Sequence, residues 1–90
     1  MSNRRILFDP DCDKAAENLG GYERLDASLS AYYSALIIEP KGFPRIESEW
    51  GSVRYIRTKP VATCPALVWW FIIEGNGDVV IVYVEEYDGY

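Results

Sequence analysis

The chain has 90 residues, which is enough for one compact domain and too few for two. Apolar residues make up 49% and charged residues 26% of it, which is globular composition and excludes a disordered chain. The net charge of −5 disfavours nucleic acid as a partner, and the absence of histidine excludes catalysis that needs an imidazole.

The two cysteines, Cys12 and Cys64, lie far apart and match no metal-ligand spacing. We therefore expect free thiols in a reducing compartment, with no metal and no organic cofactor. The longest apolar run, residues 66–73, is too short to cross a bilayer, and no signal-peptide core follows Met1. These features predict a cytoplasmic protein with no membrane partner.

The first predicted elements are a short strand and a helix. The strand is Arg5–Phe8, and Asp9-Pro10 then supplies an N-cap carboxylate and a proline at the first helical position. Apolar residues recur at helical spacing until Gly20-Gly21, which predicts the end of the helix.

A second helix is predicted for Tyr22–Ile38, because its apolar residues recur at steps of three and four. Two prolines and a glycine then predict an irregular connection over Pro40–Trp50. The two helices form a helical hairpin with one apolar side to cover.

Three strands are predicted in the second half of the chain, which is rich in β-branched and aromatic residues. Their bounds are Ser52–Lys59, Ala66–Glu74 and Val79–Glu85. The fold class is therefore α+β, in a single domain over residues 1–90. A short N-terminal strand and a helical hairpin precede an antiparallel sheet that ends in a C-terminal β-hairpin.

The last two predicted strands are apolar on both faces. A two-residue type I′ turn at Asn76-Gly77 would pair Ile73 directly with Val80. One helical hairpin can cover only one face, so the apolar residues of the other face are predicted to form an interface. In this register that face also includes Val68 and Val79, and its predicted interface residues are Trp70, Ile72, Ile81 and Tyr83. Three occupants stay open: a second copy of the chain, a different protein, and the chain's own segment Pro40–Trp50.

Basic residues concentrate in the middle of the chain. Residues 41–60 carry a net charge of +3, whereas the 40 residues before them carry −3 and the 30 after them carry −5. An anion-binding site must therefore lie in the middle segment, where Arg54, Arg57 and Lys59 share one predicted strand. The alternative for these three residues is a solvated strand with surface ion pairs.

The order of a strand, a helical hairpin and a three-stranded antiparallel sheet resembles the RelE/ParE superfamily of bacterial toxins. The resemblance covers most of the chain, and four segments carry it: Ile6–Asp9, Gly51–Arg57, Leu67–Ile73 and Val79–Val84. Members of that family either cleave messenger RNA on the ribosome or poison a topoisomerase. Antitoxins neutralise these toxins by wrapping around them, so the resemblance implies a cognate antitoxin as a partner.

The resemblance also implies a basic catalytic surface on the sheet. Carried onto this chain, its positions are Arg54, Arg57 and Lys59, with Tyr87 as a phenol near the C-terminus. The family is usually basic after its last strand, whereas this chain reads Glu85-Glu86 there. Metal-independent RNA cleavage needs cations to stabilise the charge that develops on the phosphate.

We therefore expect a RelE/ParE-like protein that acts through protein binding in a toxin–antitoxin-type system and is catalytically degenerate. Two alternatives stay open. One is a non-catalytic module that binds a partner or forms a homo-oligomer. The other is a ribosome-dependent messenger-RNA endonuclease.

Overall fold

The computed structural model describes residues 4–48, 51–61 and 64–87. Their order is strand, helices, then strands. The elements are β1 (Ile6–Phe8), α1 (Pro10–Asn18), α2 (Tyr22–Ser30), α3 (Tyr33–Ile38), a 3₁₀ turn (Pro40–Gly42), β2 (Arg45–Ser48), β3 (Gly51–Arg57), β4 (Leu67–Ile73) and β5 (Val79–Glu86).

The five strands form one sheet in the order β1-β5-β4-β3-β2. The strands β2 to β5 are antiparallel neighbours, whereas β1 pairs in parallel with β5 and makes the sheet mixed. The predicted α+β layout of a strand, helices and a sheet with a C-terminal hairpin is confirmed. The central position of β4 matters below, because β4 carries the largest side chains of the sheet.

Helix α1 begins as its sequence predicts. The Asp9 side chain accepts a hydrogen bond from the Asp11 backbone N–H at 2.9 Å, and Pro10 occupies the first turn. The buried residues of α1 pack in the same core cluster as β5, and they are Cys12, Ala15 and Ala16. Both Gly20 and Gly21 have positive φ, at 109° and 89°, so the chain reverses there without the strain a side chain would add.

The single helix predicted for Tyr22–Ile38 is wrong, because the chain forms two helices separated by Ala31 and Tyr32. The hydroxyls of Ser28 and Ser30 donate to the carbonyls three residues earlier, at 2.9 and 3.2 Å. Such bonds compete with the helical ladder and bend it. The Tyr32 N–H then donates to the Leu29 carbonyl at 2.8 Å, which tightens the turn between the two helices.

The irregular connection predicted over Pro40–Trp50 is also partly wrong. Residues 45–48 form β2, the edge strand that pairs with β3, and residues 49–50 lie outside the described residues. Before β2, the ring of Phe43 turns toward the helices and meets the ring of Phe71 edge-on, with centroids 5.7 Å apart. The segment 40–48 therefore extends the sheet and does not cap its second face.

The predicted two-residue turn at Asn76-Gly77 is replaced by a three-residue loop. The Glu74 N–H donates to the Asp78 carbonyl at 2.8 Å, the Gly77 N–H donates to the Glu74 carbonyl at 2.9 Å, and Gly77 has φ 96°. Consequently Ile73 pairs with Val79 and not with Val80.

A bulge in β5 restores the predicted register farther from the loop. Phe71 pairs with Ile81 and Trp70 pairs with Tyr83, which leaves Val82 as the extra residue. The residues that β5 sends into the core are therefore spaced unevenly, and they are Val79, Ile81 and Val84.

The core lies between the helices and one face of the sheet. Its largest members, Trp69 and Phe71, are 0% exposed, and the leucines of α2 and α3 belong to the same cluster. None of the helices in the described part of the chain has the length and apolar character that a bilayer crossing requires.

Candidate functional site

The second face of the sheet, which we call the open face, lies opposite the helical core, and α1 borders it beside β5. Each of the five strands contributes one apolar residue to a row that crosses the open face. In spatial order the row is Ile46, Val53, Ile72, Val80 and Leu7. The two ends are the most exposed members, at 44% for Ile46 and 38% for Leu7.

A second row on the open face is aromatic. Tyr55 pairs with Trp70 across β3 and β4, and Trp70 pairs with Tyr83 across β4 and β5. The Tyr55 and Trp70 ring centroids are 5.4 Å apart, and Tyr83 is 45% exposed. Tryptophan and tyrosine combine apolar area with a polar tip, and both are enriched in the energetic centres of protein interfaces.

The surface of the open face has two shallow hollows. The larger, of about 660 Å³, lies between α1 and the sheet, where Asp9, Asp11 and Lys14 form one wall. The smaller, of about 380 Å³, is lined mainly by apolar side chains, including Ile46, Trp70 and Tyr83. Both hollows include Val53, Val82 and Tyr83, so they form one continuous groove.

Charges lie at the margins of the open face and differ in sign from side to side. Asp9, Asp11 and Lys14 border the face beside β5, and the exposed Glu85 on β5 shares the face of Tyr83. Arg57 on β3 lies on the same face, in the strand-to-strand row of Val68 and Glu85. The β5 side is therefore net acidic, and the β3 side carries a cation.

Arg57 is held between two tyrosines at the end of the open face. Its guanidinium carbon lies 5.6 Å from the centroid of the Tyr55 ring and 5.5 Å from that of the Tyr87 ring. Its Nη1 also donates to the Tyr87 hydroxyl at 3.1 Å. This hydrogen bond raises the pKa of Arg57 above its ordinary value, so the side chain is a permanent cation.

Arg54 occupies a structural position on the opposite face. Its Nη1 donates to the carbonyls of Lys41 and Phe43, at 3.1 and 2.8 Å, and so fixes the 3₁₀ turn to the sheet. Two residues on the same strand have side chains on opposite faces when their numbers differ by three. Arg54 and Arg57 therefore cannot act on one phosphate.

The predicted catalytic set is thus only partly assembled. The structure brings Arg57 and Tyr87 together, and it places Arg54 on the other side of the sheet. Lys59 is exposed beyond the end of β3, and no contact joins it to Arg57 or Tyr87 within the described residues. The remaining site is one cation with two phenols and contains no paired acid and base.

Three of the four predicted interface residues lie on the open face: Trp70, Ile72 and Tyr83. The prediction that Ile81 lies there is wrong, because Ile81 is 0% exposed in the core. The three-residue loop shifts the pairing of β5 by one residue, and a shift of one residue exchanges the two faces of a strand.

Five apolar members of the open face were not predicted from the sequence. The two-residue turn predicted at Asn76-Gly77 would place Val80 and Val82 on the other face, and the connection predicted over Pro40–Trp50 includes Ile46. The alternation of Arg45-Ile46-Glu47-Ser48 is the signal that could have revealed β2, although four residues are a short pattern. The missed residues are Leu7, Ile46, Val53, Val80 and Val82.

The two thiols offer no nucleophile. Cys12 and Cys64 are both buried and free, as predicted. Burial raises the pKa of the Cys12 thiol, and the thiolate is the reactive form. The neighbouring Tyr22 hydroxyl donates to Asp13 Oδ1 at 2.6 Å, and its pKa is raised by burial and by that bond. This cluster is a structural contact between α1 and α2.

In comparisons with known proteins, no family model, no curated protein and no solved structure matched this chain.

Proposed function

We propose that this protein is a protein-binding module of a cytoplasmic toxin–antitoxin-type system and that the open face is its binding surface. The observation that carries the proposal is the apolar row that crosses all five strands with no described element above it. The RelE/ParE-like order of segments supports the toxin–antitoxin setting.

The chemistry of the open face suits a protein partner better than a small molecule. The groove is shallow and apolar at its floor, where Trp70 and Tyr83 line it, and the ring of Tyr55 packs against Trp70. Charges lie only at its margins, as in interfaces with an apolar core and a polar rim. A contiguous apolar surface of this kind costs free energy in water, and a partner removes that cost.

The test is growth of a bacterial host during induced expression of the chain. We expect the parent chain to arrest growth and the double variant I46S/Y83S to relieve the arrest. Both positions are about half exposed, at 44% and 45%, so the substitutions should cost the fold little. The matched control is Ile38→Ser, which removes an apolar side chain that is 76% exposed on α3, away from the open face.

Each result has a definite meaning for the proposal. Arrest by the parent and by Ile38→Ser, together with growth of I46S/Y83S at equal expression, would support the open face as the working surface. Absence of arrest from well-expressed, folded parent protein would contradict a toxin-type role in that host. Arrest that persists in I46S/Y83S would contradict the role of the open face.

A second candidate function is metal-independent cleavage of messenger RNA, which the contact between Arg57 and Tyr87 favours. Arg57 would stabilise charge on the phosphate, and the phenol would exchange a proton. The variants Arg57→Gln and Tyr87→Phe test it. Arrest that disappears in both, with transcripts that stay intact while I46S/Y83S still cleaves them, would support the nuclease over the binding module.

A further inference from the structure

We infer that in the free protein the open face is occupied by a second copy of this chain, related by a two-fold axis parallel to β4. The inference rests on the proposed function in that both use the open face, and it names the occupant. The support for a second copy is the distribution of charge and of apolar residues across the open face.

The charges of the open face are complementary to those of a second copy. Arg57 on β3 and Glu85 on β5 lie on opposite sides of Val68, which belongs to the central strand β4. A two-fold axis along β4 exchanges the two sides and keeps the position along the strands. It therefore places Arg57 of one copy against Glu85 of the other, twice in each dimer.

The same axis matches the remaining rows. Trp70 meets Trp70 of the partner copy on the axis, and Tyr55 meets Tyr83. The aliphatic row meets itself, because Val53 on β3 and Val80 on β5 are at corresponding positions on either side of β4. Two sheets packed in this way keep their strand directions aligned, which is a common geometry for sheet-on-sheet contacts.

A two-fold axis perpendicular to the strands fits poorly. It would exchange the two ends of the face and place Arg57 and Glu85 against the aliphatic row. Each charge would then be buried without an opposite charge beside it, which costs more free energy than the contact returns. It would also place the α1 margin of one copy, with Asp9 and Asp11, against the same margin of the other.

The size of the open face indicates a weak, reversible dimer. Five strands about 4.8 Å apart span roughly 24 Å, and the seven residues of β4 span roughly 23 Å. Two copies would thus bury roughly 1,000 Å², which is at the lower limit for a specific interface. The dimer should therefore form and dissociate with protein concentration.

Sedimentation velocity of the purified full chain over a range of concentrations tests the inference. We expect a monomer–dimer equilibrium in the parent, loss of the dimer in I46S/Y83S, and no change in Ile38→Ser. Circular dichroism of each variant reports whether it is folded. A parent chain that stays monomeric at several hundred micromolar would overturn the inference.

Charge reversal tests the direction of the axis. We expect Arg57→Glu and Glu85→Arg each to weaken dimerisation by roughly tenfold, because each converts two ion pairs at the margins of the interface into repulsive pairs. The double variant R57E/E85R should restore most of the lost affinity. Rescue would also show that the loss in Arg57→Glu does not come from its broken contact with Tyr87.

The other outcomes separate the two proposals. If neither charge reversal changes the affinity of the dimer, the strand-parallel axis is overturned. The same holds if the double variant dimerises no more tightly than the single variants. A monomeric parent whose arrest is relieved by I46S/Y83S would exclude the second copy and retain the proposed function with a different partner protein. If the parent dimerises and I46S/Y83S still arrests growth, the second copy remains the occupant and the proposed function is contradicted.

Discussion

Arg54 and Arg57 are chemically identical and three residues apart, yet their surroundings give them different tasks. Arg54 donates to two carbonyls of the segment before β2 and ties that segment to the sheet. Arg57 is exposed at the margin of the open face, where it contacts the rings of Tyr55 and Tyr87 and donates to the Tyr87 hydroxyl. One arginine therefore serves the fold, and the other is available to a partner.

This difference predicts a difference in stability. Arg54→Ala should lower the free energy of unfolding by about 1–2 kcal/mol, because two carbonyls lose a charged donor. Arg57→Ala should leave it close to that of the parent, since substitutions at exposed positions have small effects. Urea unfolding followed by tryptophan fluorescence measures both. A larger loss in Arg57→Ala than in Arg54→Ala would contradict these assignments.

At the scale of elements, the β4–β5 hairpin decides which side chains form the open face. Its three-residue loop moves the pairing by one residue, and the bulge at Val82 moves it back after Ile81. Without the bulge, Val84 would leave the core and the exposed Tyr83 would enter it. The loop and the bulge together set the composition of both faces.

The loop depends on the conformation of Gly77, which has φ 96°. Gly77→Ala should destabilise the protein by roughly 1–2 kcal/mol, because an L residue is strained at positive φ. A Cβ there would meet Arg4 only at ordinary contact distances, 3.8 Å and longer, so the cost comes from the backbone. Thermal unfolding of the two alanine variants, at positions 77 and 75, measures it.

Gly75→Ala is the matched control, since Gly75 lies in the same loop without a positive φ and with open space around its Cα. We expect its melting temperature to stay close to that of the parent. Equal destabilisation by the two variants would contradict the conformational argument.

The same elements show how far the sequence could be interpreted before the structure. The order of strand, helices and hairpin follows from residues that act locally, such as Asp9-Pro10 and Gly20-Gly21. The register does not, because Gly75-Asn76-Gly77-Asp78 suits a two-residue or a three-residue loop, and Val82 resembles its neighbours. The contact of Arg57 with Tyr87 joins residues 30 positions apart and depends on that register.

At the scale of the whole molecule, an ion pair joins the start of the first strand, β1, to the start of the last strand, β5. Arg5, just before β1, donates through Nε and Nη2 to Asp78 Oδ2 at 3.1 and 2.8 Å, and its backbone N–H donates to Asp78 Oδ1 at 3.0 Å. These bonds hold the pKa of Asp78 below its ordinary value of 3.8. The folded chain therefore binds the Asp78 proton less readily than the unfolded chain does.

This linkage predicts how stability depends on pH. The contribution of Asp78 is fully present above the ordinary carboxyl pKa and disappears as the pH falls through the lower pKa of the folded state. Asp78→Asn should be less stable than the parent at neutral pH and should lose less stability on acidification. Urea midpoints between about pH 6 and pH 2.5 test this. Parallel acid profiles for the two proteins would contradict it.

The parallel pairing of β1 with β5 also determines when the fold can form during synthesis. Arg5 and Asp78 are 73 residues apart, so β1 waits for almost the entire described chain before its partner exists. Closing so long a loop costs entropy before any contact offsets it, and topologies of this kind fold slowly. Until β5 has been made, the apolar residues of α1 and β4 that pack against it lack that partner. The nascent chain therefore exposes more apolar surface than the finished protein does, and that interval is when it is most exposed to aggregation.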